Sequence, residues 1–215
     1  MNNKYEVKEV SFKECKDWFL NIHYAKRVPS VSYRFGLYAD GKLLGICSYG
    51  KPASNNLCKG CFGADNSHLV YELNRLVVIE GLGKNVLSYF VGQTFKLLPK
   101  PIILVSYADS DMNHHGYIYQ ATNWIYSGAT KARTDVDSGA NSHSRHYDKA
   151  SIDYTKRKFR SSKHRYFMVL ADKRVKKRLM GDFNYKTEPY PKGDNSRYDI
   201  DESKIVRTKT LFDIS

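Results

Sequence analysis

An apolar run that changes abruptly into polar side chains places the strongest constraint on this fold. Residues 102–105 (Ile-Ile-Leu-Val) are long enough for a buried strand, and hydrogen-bonding and aromatic side chains crowd the residues that follow. These are Ser106, Tyr107, Asp109, His114, His115, Tyr117, Tyr119, Gln120, Asn123, Trp124 and Tyr126. A buried strand whose carboxyl end opens into polar residues is where α/β sheets usually bind ligands. The alternative is a tyrosine-rich packing segment followed by a polar loop.

Periodicity along the rest of the chain predicts a sheet with flanking helices. Ser11 and Glu14 have the spacing of a capping box, which starts a helix, and Asp40-Gly41 between apolar runs predicts a hairpin. The predicted strands are residues 4–10, 32–38, 43–49, 69–79, 102–107 and 165–171, with residues 124–126 as a strand or turn. The predicted helices are residues 11–22, 85–98, 116–122 and 173–180, and residues 51–67 are predicted to be a loop.

The fourth predicted strand carries an irregular period. Leu73 and Leu76 are three residues apart, so one face of a strand can hold both only if the strand bulges between them. That places Glu72, Asn74 and Arg75 at a splayed point of the strand.

The order strand, helix, three antiparallel strands with a bulge in the last, helix, strand, helix, strand resembles the GNAT (N-acetyltransferase-like) fold. In that fold the bulged fourth strand and the fifth strand separate and form the donor cleft. The expected class is therefore α/β (α+β), with a mixed, mostly antiparallel central sheet and flanking helices. Residues 1–180 are expected to form one catalytic domain with residues 131–162 as a basic insertion or loop, and residues 181–215 an extended C-terminal tail.

Positive charge concentrates in one part of the chain. The formal net charge is +13, and residues 131–178 alone carry 15 Lys and Arg against 5 Asp, a net +10. A concentrated basic surface favours a polyanion as the partner. A membrane is not favoured, because the sequence has no run of 18 apolar residues and no basic helix with a broad apolar face. We therefore expect double-stranded DNA as the partner. The predicted phosphate contacts are Lys156, Arg157, Lys158, Arg160, Lys163, Arg165, Lys173, Arg174, Lys176, Lys177 and Arg178, unless they form only a solvated surface.

The amino terminus has no signal-peptide character, so a reducing cytoplasm is expected. Cys58 and Cys61 have the spacing of half a zinc knuckle, and His68 is a conceivable third ligand. The spacing matches no standard zinc pattern, so unmetallated loop cysteines are the favoured interpretation.

Several ordered segments together resemble one family. HYAKRVPS, YRFGLY, YELNRLVV, KNVLSYFV, LLPKP, VSYAD, HHGYIYQATNWIYSG, KHRYF and EPYPKG are similar to the Mom family of phage DNA-modification proteins, from the first helix to the tail. The resemblance implies an enzyme that converts adenine in DNA to its N6-carbamoylmethyl form. That modification shields phage DNA from restriction enzymes, and the enzyme acts in the host cytoplasm.

The chain departs from its relatives at two places. The segment between residues 128 and 162 is short for the family, so no family role is carried over to that insertion. CoA-dependent GNAT enzymes carry Arg or Gln at the first position of their phosphate-binding motif, where this chain has Val78. Backbone N–H groups at the following helix start still suit an anionic donor, with Gly81, Gly83, Lys84 and Asn85 as the donor-binding candidates. The donor is thus unknown, an acyl- or glycyl-type molecule, with acetyl-CoA less favoured.

Adenine N6 is a poor nucleophile, so a catalyst must remove a proton and stabilise charge on the donor. Asp109 is the first candidate base and Glu72 its rival. The alternatives are a helix-capping role for Asp109 and a simple ion pair for Glu72. Arg75 suits binding of an anionic group, and Ser106 suits orientation of the adenine.

The other candidates would hold the flipped adenine or help in catalysis. Catalytic roles are assigned to His23, Tyr24 and Tyr126, and substrate-binding roles to Arg27, Asn74, Tyr107, Tyr119, Asn123 and Trp124. Asn123 suits the adenine edge, and Trp124, Tyr119 or Tyr126 suit stacking, with core packing as the alternative. His23, Asp109 and His115, with His114 beside it, are candidate ligands for a metal ion such as iron.

Two other functions remain open at this point. One is a CoA-dependent N-acetyltransferase that acts on a small amine, and the other is a basic DNA-binding protein without catalysis.

Overall fold

A seven-stranded sheet organises the chain in a computed structural model that describes residues 4–23, 26–110, 113–136 and 157–193. The strands are β1 (Glu6–Glu9), β2 (Tyr33–Ala39), β3 (Lys42–Gly50), β4 (Val70–Val78), β5 (Ile102–Asp109), β6 (Ile125–Ala129), β7 (Arg133–Val136), β8 (Arg157–Arg160) and β9 (Lys163–Leu170). The helices are α1 (Phe12–Asp17), α2 (Asn55–Cys61), α3 (Val86–Leu97), α4 (Tyr117–Ala121) and α5 (Lys173–Gly181).

The strand order in the sheet is β1-β2-β3-β4-β5-β9-β6. Every neighbouring pair is antiparallel except β4 and β5, which run parallel. The expected mixed, mostly antiparallel sheet with flanking helices is confirmed. β6, predicted as a strand or turn, is the strand at the edge beyond β9.

β4 and β5 part after a short parallel contact. Only Val70, Tyr71 and Glu72 of β4 pair with β5, opposite residues 103–105. Beyond Glu72, β4 continues beside β3, while β5 continues beside β9 as far as Asp109. The predicted separation of the two strands is confirmed, and it opens a cleft in the middle of the sheet.

The predicted bulge in β4 falls at Asn74. Arg75 pairs with Ser48 and Leu73 pairs with Tyr49, so Asn74 is the extra residue between two partners on β3. The bulge brings Leu73 and Leu76 to the same face of the sheet, where both contact the same apolar cluster.

The sheet separates two packed faces. On the first face, α3 and α4 cover a cluster that includes Leu73, Leu104 and Trp124. On the second face, α1 covers one cluster around Ile46, and α2 and α5 cover another around Val105. Alternation along each strand decides which side chains reach which face.

The first helix and the loop 51–67 differ from their predictions. Ser11 and Glu14 form the expected capping box, but the α-helix ends at Asp17 and continues as a π-helical turn, Trp18–Ile22. The loop 51–67 was predicted without structure, which is wrong for its centre, where α2 begins after Ser54 caps Leu57. The Gly and Asn content concealed the apolar positions that bury α2 against the sheet.

The basic segment 131–162 was predicted as a loop, and its described ends instead form a separate two-stranded ribbon of β7 and β8. The tail begins later than predicted, because α5 extends to Gly181. Its described part packs on the domain: Glu188 N–H donates to the Tyr126 carbonyl and Tyr190 Oη to the Trp124 carbonyl. Whether residues 1–180 and 181–215 are separate units stays a prediction. In the part of the chain that is described, no helix has the length and apolarity needed to cross a membrane.

Candidate active site

A group of charged side chains lies at the point where β4 and β5 separate. Glu72 is the last residue of β4 that pairs with β5, and Tyr107 is two residues beyond its partner Val105. Val105 and Tyr107 contact the cluster on the second face of the sheet, so Tyr107 and Asp109 face that side by alternation. Glu72 alternates with Val70 to the same face. The sequence therefore brings Glu72, Tyr107 and Asp109 to one face of the sheet, on the two strands that border the cleft.

Glu72 is half-buried among cations. Burial raises the pKa of its carboxyl group to about 7, even though Arg75, Arg27 and Lys163 favour the charged form. A carboxyl group with such a pKa is close to half-ionised at neutral pH, which is the condition under which a general base works best. The buried charge also costs stability once the group ionises.

Arg75 and His23 form the wall next to Glu72. Arg75 is 8% exposed, and it donates from Nη1 to the Asn74 carbonyl at 2.6 Å and from Nη2 to the Arg27 carbonyl at 3.2 Å. Burial and the two nearby guanidinium groups lower the pKa of His23 to about 3, so its imidazole is neutral. Tyr24 lies outside the described residues.

Asn74, a substrate-binding candidate, serves as a brace in the structure. Its Nδ2 donates to the Ser30 carbonyl at 2.6 Å, and its Oδ1 accepts from Ser48 Oγ at 2.8 Å. Gly50 permits this approach, since a Cβ there would lie 1.8 Å from the Ser30 carbonyl oxygen. The bulge thus holds the segment that carries Arg27 against the sheet.

Asp109 closes the opposite end of the group. Its Oδ2 accepts from Lys163 Nζ at 2.6 Å, and its Oδ1 accepts from Ser161 Oγ at 2.5 Å. Both oxygens are therefore engaged, which favours a positioning role over that of base. Tyr107, between Asp109 and Glu72 along the strand face, is half-buried, and burial together with the nearby Glu72 raises its pKa. Its phenol stays protonated and available as a donor.

Ser106, Tyr119, Tyr126 and Trp124 lie on the other face of the sheet. Ser106 Oγ donates to the Leu73 carbonyl at 2.8 Å and lies 2.7 Å from the Tyr119 hydroxyl. Trp124 is 1% exposed and packs against Tyr119, with 5.1 Å between the ring centroids. The stacking roles predicted for these aromatics have no structural basis here, because their faces are filled by core neighbours. Tyr126, likewise buried, contacts His164 through its hydroxyl at 2.8 Å.

Asn123, predicted to read the adenine edge, occupies the turn between α4 and β6. Its φ is 60°, and its backbone N–H donates to the Gln120 carbonyl. Left-handed conformations of this kind favour Asn, which explains the residue by turn geometry alone.

The candidate metal ligands do not converge. Among the described residues, no three His, Cys, Asp or Glu side chains are arranged to hold a metal ion. His115 lies beside His164 with 5.7 Å between ring centroids, whereas His23 lies beside Arg75. Cys58 and Cys61 lie on α2 and are buried between that helix and the sheet.

The donor-binding candidates precede α3. Gly81, Gly83, Lys84 and Asn85 are exposed, and added Cβ atoms at either glycine would not clash with any described neighbour. Asn85 has a left-handed backbone and supplies no side-chain cap, so the N–H groups in the first turn of α3 have no partner from that side chain.

The predicted phosphate contacts divide into several groups. Lys173, Arg174, Lys176, Lys177 and Arg178 are exposed on α5, which packs through Val175 and Leu179 on the second face. Lys163 is ion-paired with Asp109, and Arg165 lies 3.9 Å over the Tyr185 ring. Lys156 lies outside the described residues, and for Arg157 and Lys158 only the backbone in β8 is described.

Three contributors to the site did not stand out in the sequence: Ser161, Tyr185 and the ion-pairing role of Lys163. The alternation of Lys163, Arg165 and Phe167 on one face of β9 is the signal that could have indicated that Lys163 lies beside Asp109. Tyr185 comes from the tail, whose position no periodic pattern reveals.

The chain is similar in sequence to a known phage protein and in structure to several acetyltransferases. The chain is 22% identical over 213 residues to the methylcarbamoylase Mom of Escherichia phage Mu, with 87% of this chain and 86% of that protein covered. Among solved structures, it is similar to an N-acetyltransferase from Staphylococcus aureus Mu50, with a TM-score of 0.46, 12% identity, and coverage of 78% of this chain and 99% of that one. It is also similar to a spermidine/spermine N-acetyltransferase from Vibrio cholerae, with a TM-score of 0.47, 9% identity, and coverage of 82% and 98%.

The model of the Mom protein family matches residues 4–192, which span the whole sheet, both sides of the cleft and the described part of the tail. The chain therefore belongs to the Mom protein family.

Proposed function

We propose that this protein transfers a carbamoylmethyl group to N6 of adenine in double-stranded DNA, with Glu72 as the general base. Membership of the Mom family and the name of the phage Mu relative, a methylcarbamoylase, support the kind of group that is transferred. The single observation that carries the proposal is the half-buried Glu72 carboxyl, with a pKa of about 7, beside two arginines in the cleft of the sheet.

The chemistry requires a base at the nucleophile, because the N6 lone pair is delocalised into the adenine ring. Glu72 accepts the N6 proton as the new C–N bond forms and the leaving group departs from the donor. Its raised pKa makes it a stronger base than an ordinary carboxylate while it remains largely ionised above neutral pH.

Charge that develops on the donor needs preorganised positive groups. Arg75 is held by carbonyl contacts on both ends of its guanidinium, so it presents charge to the cleft without reorganising. Tyr107 adds a protonated phenol on the same face. Asp109 does not touch the reacting atoms in this proposal; it positions Lys163 and Ser161 by hydrogen bonds. The donor itself is a small acyl- or glycyl-type molecule, and residues 81–85 hold its anionic end.

DNA approaches the second face in this proposal. The exposed basic residues of α5 lie on that face, as do Glu72 and Asp109. Phosphate contacts made by α5 position the duplex and supply most of the affinity.

The test is a comparison of variants in a plasmid-bearing bacterium. Glu72→Gln should abolish the modified nucleoside in digested plasmid DNA while the purified variant binds duplex DNA as the wild type does. Glu80→Gln is the matched control, since Glu80 is an exposed glutamate in the turn after the same strand. Undiminished modification by Glu72→Gln would remove Glu72 from the mechanism. Modification that persists in Asp109→Ala at the wild-type level would restrict Asp109 to a structural role.

A further inference from the structure

An aromatic ring from the tail, that of Tyr185, lies on the face of the sheet that carries Glu72. It is partly buried against the apolar cluster on that face. The residue before it is fixed to the end of α2: Asn184 donates from its N–H to the Cys61 carbonyl at 3.0 Å and from Nδ2 to the Gly60 carbonyl at 3.1 Å. The tail therefore holds Tyr185 at a defined place on this face.

The packed neighbours of the Tyr185 ring lie on one side of it. The Arg165 guanidinium is 3.9 Å over the ring, and the Phe167 ring is 5.5 Å away at an interplanar angle of 21°. Groups stacked on opposite faces of a ring are at least about 7 Å apart, because each layer takes up about 3.5 Å. Arg165 and Phe167 are 5.8 Å apart, and Phe183 is 5.3 Å from Phe167, so all three share one side. Tyr185 is half-buried, and its outer face, opposite these three, has no ring or cation stacked on it among the described residues.

The strand register sets the distance between Tyr185 and Glu72. Phe167 pairs with Val105 on β5, and Val105 pairs with Glu72 on β4, so the three residues form one row across the sheet. Neighbouring strands are about 4.8 Å apart, so Phe167 and Glu72 are separated by about 10 Å. Because Tyr185 packs on Phe167, its ring lies at the other end of this row from the Glu72 carboxyl group.

Tyr107 lies between these two ends, in the next row. It pairs with Arg165 and shares the face of Glu72. Burial raises the pKa of Tyr107, and the nearby Glu72 and Tyr185 add to the rise, so its phenol is within electrostatic range of both. A planar ligand on the outer face of Tyr185 can therefore present its edge to Tyr107 and Glu72.

The neighbouring surface favours a nucleobase as that ligand. α5 ends at Gly181, four residues before Tyr185, and its exposed Lys and Arg side chains lie on the same side of the sheet. Phosphates bound by α5 bring the bases of a duplex alongside the ring. A nucleobase has a π-face that stacks on a Tyr ring, whereas a carbamoylmethyl group has none.

We propose that the outer face of Tyr185 stacks the target adenine after it leaves the duplex, while Arg165 fixes the ring from the opposite side. The inference rests on the proposed function, since an enzyme that acts on adenine N6 takes the base out of the duplex. Stacking on Tyr185 offsets part of the stacking that the adenine loses. It also directs the edge of the base toward Glu72. Trp124 and Tyr119, which are filled by core neighbours on the other face of the sheet, leave this role to Tyr185.

The test compares the affinity of the purified full chain for two duplexes that differ at one position. The first has an unpaired adenine opposite an abasic site, and the second has an abasic residue in place of that adenine. We expect the wild type to bind the first about tenfold more tightly, which is the size of one base–aromatic stack. Tyr185→Leu, which keeps an apolar side chain against Phe167, should reduce this preference to less than about twofold. Its affinity for the abasic duplex should stay within about twofold of the wild type, because the phosphate contacts remain.

Two further variants separate stacking from other roles of the side chain. Tyr185→Phe keeps the ring and removes only the hydroxyl, so it should keep the preference for adenine. Tyr117→Leu is the matched control, a tyrosine with 60% exposure on α4, and it should also keep the preference. An equal preference in Tyr185→Leu and the wild type overturns the proposal, as does a wild type with no preference.

A crosslinking experiment tests the same contact without any substitution. With 8-azidoadenine at the unpaired position, illumination of the wild-type complex should attach the base to the peptide that contains Tyr185, identified by mass spectrometry. Crosslinks confined to other peptides would overturn the stacking role.

Failure of this inference and failure of the proposed function have different signatures. Unaltered deoxyadenosine in DNA from cells that express the wild type removes the proposed function, whatever the binding shows. Modified adenine at equal levels with the wild type and Tyr185→Leu removes the stacking role alone. Loss of modification in Tyr185→Leu with an unchanged preference for adenine overturns the proposal and assigns the ring to the donor.

Discussion

Burial and charge act in opposite directions on the carboxyl group of Glu72. Burial raises its pKa to about 7, and the surrounding arginines and Lys163 limit the rise. In the unfolded chain the group returns to an ordinary pKa near 4.5. The folded protein therefore carries a charge that it disfavours at neutral and alkaline pH, as expected where a site is built for reactivity rather than stability.

This difference predicts how stability depends on pH. The raised pKa contributes stability that is fully present below pH 4.5 and is lost as the pH rises through about 7. Glu72→Gln removes the buried charge, so it should increase the free energy of unfolding by about 1–3 kcal/mol at pH 8. At pH 4.5 and below, the two proteins should differ much less. Urea denaturation at the two pH values measures the difference.

Glu80→Gln provides the control for that experiment, because Glu80 is exposed in the turn that follows β4. It should leave the pH dependence unchanged. A Glu72→Gln variant that is destabilised at pH 8 would show that the carboxylate is held by compensating contacts and is not a strained base.

At the scale of elements, the bulge in β4 shapes the cleft. Asn74, the extra residue, bonds to Ser48 on β3 and to the Ser30 carbonyl of the segment before β2. Arg75 follows it and reaches the Arg27 carbonyl. The bulge therefore positions two arginines as well as Glu72.

Replacing Asn74 should weaken both the fold and the site. Asn74→Ala leaves the Ser30 carbonyl and the Ser48 hydroxyl without this partner, so we expect a loss of about 1–3 kcal/mol in the free energy of unfolding. Thermal or urea denaturation measures it. Asn21→Ala is the matched control, since Asn21 bonds to Asp17 on an exposed helix surface and its loss should cost little. Equal losses of unfolding free energy in the two variants would argue against a stabilising role for the hydrogen bonds of Asn74.

The exposed basic side chains of α5 should contribute to the salt dependence of DNA binding. The variant with Lys173, Lys176 and Lys177 changed to Gln should lower the slope of log affinity against log salt by about 1 for each phosphate that the helix no longer neutralises. Lys96→Gln with Lys100→Gln, exposed near the end of α3, is the control and should keep the wild-type slope. Fluorescence anisotropy of a labelled duplex measures both. Equal slopes would remove α5 from the DNA surface.

Most elements were predictable from the sequence because they depend on local signals. The Ser11 capping box, the Asp40-Gly41 hairpin and the spacing of Leu73 and Leu76 each act over a few residues. The centre of the segment 51–67 was not predictable in this way, since α2 gains its stability from packing on the sheet. The ribbon of β7 and β8 pairs residues far apart in the chain, and no local pattern specifies that register.

At the scale of the whole molecule, the sheet divides one predicted site into two groups. The polar residues that follow residue 105 alternate along β5, so Tyr107 and Asp109 reach the cleft face, whereas Ser106 and Ala108 reach the core face. A sequence can show this alternation but not which face remains open to a ligand. That depends on Trp124, Tyr119 and α4, which fill the core face.

The two sides of the molecule have separate tasks in the proposed function. The face of α3 and α4 supplies stability through the aromatic core, and the other face brings together Glu72, the arginines and the basic helix α5. Substitutions in the first group should act mainly on stability and those in the second mainly on chemistry or DNA binding.

Transfer of a carbamoylmethyl group to adenine is tested most directly by mass spectrometry of nucleosides from plasmid DNA of cells that express the full chain. We predict a nucleoside with the mass of N6-carbamoylmethyl-deoxyadenosine, with fragmentation that places the added group on the base, and its loss in cells that express Glu72→Gln. Unaltered deoxyadenosine in the presence of soluble, folded wild-type protein would contradict the proposed function.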